Sequence, residues 1–81
     1  MKKISYEKYD EALEKLQSSI SDHRIQFYNM RSSGRNSIDM GVNWASVGTV
    51  SADEATEFAA KIVAAAKAAK EFIYNGYTIE W

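Results

Sequence analysis

The chain has no cysteine, no proline and a single histidine. Without cysteine, disulfides and thiolate metal sites are excluded, and the expected setting is a reducing cytoplasm rather than a disulfide-stapled secretory one. One histidine cannot supply the paired ligands of a zinc site. A Ser-His-Asp site would have to use His23 at a turn, and its neighbour Asp22 would point to the opposite face of a strand. Long apolar runs are missing too. The least polar stretch, 62–66, is far shorter than the ~20 residues of a membrane helix. The basic start of the chain is followed by Glu7, Lys8 and Asp10 where a signal peptide needs an apolar core. Ten basic against eleven acidic side chains give a formal charge of −1, unlike a general binder of nucleic acid. Gly41, Gly48 and Gly76 are isolated, and no phosphate-cradling loop surrounds them.

What is present builds one small domain, 1–81, of α+β class. Ser51 and Glu54 form a capping box with Val50 and Ala55 as its hydrophobic staple. Ala55, Phe58, Ile62, Ala65, Ala69 and Phe72 then recur at helical spacing, and Asn75-Gly76 provides the stop. An earlier helix over about 5–20 starts at Ser5 and carries Tyr6, Tyr9, Leu13, Leu16 and Ile20 on one side. Ser18, Ser19, Ser21 and Asp22 terminate it by competing for backbone hydrogen bonds. Between the helices the period changes to two. Ile25 and Phe27 alternate with polar neighbours, and Ile38, Met40, Val42 and Trp44 do the same beyond a turn at 32–36. Tyr77, Ile79 and Trp81 alternate at the end. The expected order is α-β-β-α-β, a three-stranded, mostly antiparallel sheet with both helices on one face.

The carboxylate pairs Asp10/Glu14, Glu7/Glu11 and Glu54/Glu57 fall on the polar sides of helices, where solvated charges are ordinary. They lack the apolar pocket that a catalytic acid requires. No enzymatic activity, cofactor or metal is expected. All three arginines, Arg24, Arg31 and Arg35, lie within twelve residues around the hairpin. Arg31 and Arg35 lie at the turn 32–36, whose amides with Asn36 could help hold a phosphate or carboxylate, and Arg24 joins them if it points along the same face. Tyr28 and Met30 face away from Ile25 and Phe27, so the first strand is apolar on both sides. Arg24, Arg31, Arg35, Asn36, Tyr28, Tyr77 and Trp81 are therefore the candidate partner-binding residues, being of types enriched at binding hot spots. The open back of the sheet and the alanine-rich second helix each offer a symmetric surface, and a homodimer is expected.

The runs Val42-Asn43-Trp44-Ala45-Ser46-Val47-Gly48-Thr49-Val50-Ser51, Glu54-Ala55, Phe58-Ala59 and Tyr74-Asn75-Gly76-Tyr77 resemble small hypothetical proteins of phages and mobile elements of low-GC Gram-positive bacteria. The resemblance covers roughly 38–81 and brings no activity to any position. It implies a context in which chains of this size include stoichiometric inhibitors of host defence, anti-CRISPR proteins among them. The expected function is accordingly a non-enzymatic protein-binding module that inhibits a host or element-encoded macromolecule. The alternative is a phosphate or nucleic-acid binder using the arginine-bearing hairpin. No membrane association is expected.

Overall fold

A computed structural model describes residues 2–30, 37–45 and 48–80. Its elements are β1 (Lys3–Ser5), α1 (Tyr6–Ser18), β2 (Ile25–Asn29), β3 (Met40–Trp44), α2 (Ala52–Lys70) and β4 (Thr78–Glu80). Both helices begin at the expected serines. Ser5 Oγ accepts from the Lys8 amide at 3.3 Å, and Ser51 Oγ from the Glu54 amide at 3.1 Å, each satisfying one donor that the first turn leaves open. At the far end of α1 the hydroxyls of Ser18 and Ser19 donate back to the carbonyls of Glu14 and Leu16. This local capture of backbone acceptors is why the serine cluster stops the helix.

α2 is shorter than its sequence signals suggest. It ends at Lys70, and Phe72 reaches the core from the turn that follows. Asn75 explains the stop. Its Nδ2 donates to the Ala69 carbonyl at 2.8 Å and to the Lys70 carbonyl at 3.3 Å, while Gly76 takes φ +87°. The buried side of α2 is Phe58, Ala65 and Ala69, with Ile62 half-buried. Ala55 is exposed, so the core begins one turn later than expected.

The sheet differs from the three-stranded expectation, and the chain order is β-α-β-β-α-β. Two two-stranded sheets form: β1 runs parallel to β4, and β2 antiparallel to β3. Lys3-Ile4-Ser5 is too short to show a period of two, which hid β1 beside the helix cap that follows it. An isolated antiparallel bridge, Ser37 to Thr78, joins the two sheets. The Ile38 amide donates to the Tyr77 carbonyl at 2.7 Å, and the Gly76 amide to the Ile38 carbonyl at 2.8 Å. Pairing goes no further because the Met40 amide donates to Asn75 Oδ1 at 3.0 Å, placing a side chain where a third strand would continue.

Ile25 and Ile38 lie at the centre of the core, ringed by Phe27, Met40, Phe58, Phe72 and Ile79. The molecule is elongated, 46 × 25 × 17 Å, with a radius of gyration of 14.3 Å. A round domain of this length would give about 12 Å. Its core is correspondingly thin, and two residues expected there are largely in solvent: Tyr6, 45% exposed, and Trp44, 52% exposed. Trp44 pairs with Ile25 on the expected side of the hairpin but occupies the last position of β3, where burial along the strand runs out.

Candidate functional site

The β2–β3 hairpin has one face in the core and one in water. Opposed residues of an antiparallel pair share a face. Phe27 and Val42 therefore point inward, as do Asn29 and Met40, while Gln26 and Asn43, and Tyr28 and Gly41, point outward. Tyr28 is 64% exposed and Met30 60% exposed. Met30 folds its side chain across Gly41: a Cβ at that glycine would sit 2.8 Å from Met30 Cγ and closer still to Sδ. The glycine thus makes the shelf on which the thioether lies beside Tyr28.

This shelf is held by a fixed backbone. On the outer edge of β2, Gln17 of α1 donates through Nε2 to the Ile25 carbonyl and accepts at Oε1 from the Phe27 amide, both at 3.0 Å. The amide side chain completes the edge as a neighbouring strand would, which keeps that stretch of β2 from adding a foreign strand. What the hairpin presents to solvent is consequently its side-chain face.

Arg24 stands apart from this face. Its Nε donates to Asp22 Oδ1 at 2.8 Å, its Nη2 to Asp22 Oδ2, and its backbone amide to Oδ1 at 3.0 Å. Lys61 of α2 reaches the same carboxylate at 3.4 Å. The guanidinium also lies over the Phe58 ring, 4.4 Å from its centroid. Asp22 is buried, and these donors, Arg24 first, hold its carboxyl well below the usual carboxylate range despite the opposing effect of burial. The cluster locks the entry of β2 onto α2. The cavity beside it is only about 70 Å³, too small for a substrate-sized ligand.

Arg31, Arg35, Asn36 and Trp81 lie outside the described residues. Tyr77 is half-buried far from the hairpin shelf in sequence and in environment: its ring meets Tyr74 edge-on, with centroids 5.2 Å apart, and Lys2 Nζ stands 5.6 Å from its centre. The structure therefore places the described candidates in three settings: Tyr28 on the shelf, Arg24 in the Asp22 lock, and Tyr77 beside the N-terminal lysines. Sequence reasoning missed Asp22, Lys61 and Gln17, each of which has a partner in another part of the fold. Among the described residues, no group of three or more His, Asp or Glu could hold a metal ion. None of the described helices is long and apolar enough to cross a membrane. No family model, curated protein or solved structure matches the chain.

Proposed function

We propose that the protein is a non-enzymatic binding module that occupies a surface of another protein through the solvent face of its β2–β3 hairpin. The observation that carries this reading is the exposed pair Tyr28 and Met30 on the outer face of a braced strand, with Met30 lying over Gly41. Tyrosine and methionine are enriched at protein interfaces, and tyrosine is a frequent hot-spot residue. A pre-formed backbone reduces the ordering that binding would otherwise demand. A host macromolecule as target, and inhibition as outcome, are part of the same proposal and come only from the expected resemblance of 38–81 to phage and mobile-element proteins. Arg31 and Arg35 follow Met30 in the chain and supply donors suited to an acidic rim. A second copy of the chain would use the outward side of α2, where Val63 stands 69% exposed, with acidic Asp53 near one end and Lys67 near the other, so that antiparallel pairing opposes unlike charges.

The test is photocrosslinking in a low-GC Gram-positive host, with the crosslinker placed at Tyr28 and, as control, at Glu71. A discrete protein adduct from position 28 alone is expected. The folded double variant Tyr28→Ala with Met30→Ala should bind that partner at least ten-fold more weakly, a loss of about 1.4 kcal/mol or more. Unchanged binding by this variant would refute the assignment. A steep loss of wild-type binding with salt would instead favour phosphate contacts by the arginines.

A further inference from the structure

A groove of about 420 Å³ lies between the start of the chain and the turn after α2, lined by Lys3, Ile4, Ser5, Lys8, Tyr74 and Tyr77. Its construction follows from the fold. β1 is paired to β4 and α1 begins directly after Ser5, and so Lys3 and Lys8 both come to line the groove. Tyr74 and Tyr77, an edge-on pair at 67°, line it as well. Lys2 adds a third ammonium, held over the Tyr77 ring.

These lysines are available. Among the described residues neither Lys2 nor Lys8 has an ion-pair partner. Lys3 meets Glu80 only at 3.8 Å, with both side chains about 60% exposed. An exposed pair of that kind contributes little and is readily exchanged for a stronger anion. The chain's charge of −1 therefore conceals a local excess of positive charge around two tyrosine rings.

We propose that this groove binds a nucleotide unit, with the phosphate among the ammonium groups of Lys2, Lys3 and Lys8 and the base against Tyr74 and Tyr77. Each half of the site calls for one half of the ligand. Lysine is a point-charge donor to phosphate, and a tyrosine ring accepts any base by stacking. The Lys2 ammonium over Tyr77 marks a ring accessible to a ligand on that side, and moving from the ring to a phosphate exchanges a weak contact for a charge-assisted one. The groove's volume lies within the range of small-molecule sites. A base must be unstacked to meet a tyrosine, so a free nucleotide or a single strand fits and a duplex does not.

The experiment titrates the full chain with a fluorescent short oligothymidylate, followed by anisotropy, and with AMP as competitor. Saturable binding that falls with salt is expected, and Lys3→Gln with Lys8→Gln should weaken it at least ten-fold and flatten the salt dependence. Tyr77→Leu should weaken it as well, while Tyr77→Phe, which keeps the ring, should restore it. Displacement by AMP identifies a free nucleotide as the ligand; binding of the oligonucleotide without displacement identifies a single strand. Tyr28→Ala with Met30→Ala should bind the probe like the wild type, which separates this groove from the hairpin shelf. The proposal is overturned if neither AMP nor the oligonucleotide binds at millimolar concentration, if the folded lysine variant binds as the wild type does, or if polyglutamate displaces the probe as well as AMP or unlabelled oligothymidylate does.

Discussion

Arg24 and Lys61 are drawn onto a buried carboxylate, whereas Lys2, Lys3 and Lys8 remain in solvent, although lysine occurs in both groups. The difference lies in the acidic partner. Asp22 is held at the mouth of β2, where Arg24 from its own turn and Lys61 from a helix far along the chain converge on it. Glu80 sits on β4 beside Lys3 but in water, where an ion pair is screened and its side chains are free to separate. Cations on a buried acid hold the fold together. Cations left in solvent are available to a ligand.

That contrast can be broken from the locked side first. Phe58→Ala removes the ring under the Arg24 guanidinium and a large part of the α2 core face, and should lower stability by about 3–5 kcal/mol in urea unfolding. Asp22→Asn should come next, with a signature in pH. The folded-state carboxyl is depressed, so as pH falls below about 4 the unfolded chain takes up a proton that the folded chain still refuses. The stability that ionised Asp22 contributes is thus complete above the unfolded pKa and declines as acidity increases. The gap between wild type and Asp22→Asn should be widest near neutrality and narrow below about pH 4. A gap that stayed constant would mean that the carboxylate's charge is irrelevant. Smallest is the effect of Lys3→Gln with Lys8→Gln, within about 0.5 kcal/mol on unfolding. A larger loss would place these lysines with Arg24 as structural side chains.

Local signals were legible in the sequence. Ser5 and Ser51 cap their helices, the inward residues of the hairpin are Ile25, Phe27, Met40 and Val42, and Gly76 takes the left-handed conformation. Each depends on neighbours within a turn or a strand. The features that escaped depend on residues far apart. Asn75 displays a helix-stop residue in the sequence, yet its amide also occupies the edge of β3. Gln17 displays a helix residue of no note, yet it completes the edge of β2. Asp22 resembles a turn former, and its burial is visible only once Lys61 is brought beside it. The candidate surface was legible in part for the same reason: strand alternation predicts that Tyr28 faces outward, but the groove at Lys3 and Tyr77 exists only because β1 finds β4.

That last pairing carries a consequence for the order of events during biosynthesis. Lys3 is partnered with Thr78 and Ile4 with Ile79, so β1 has no partner until β4, which follows both helices and the hairpin, has been translated. α1 and the β2–β3 hairpin can form from contiguous sequence as they emerge, but β1 stays without a strand partner through all of it. A growing chain stalled within α2 would expose this edge to chaperones or to other nascent copies, and synthesis of β4 closes it.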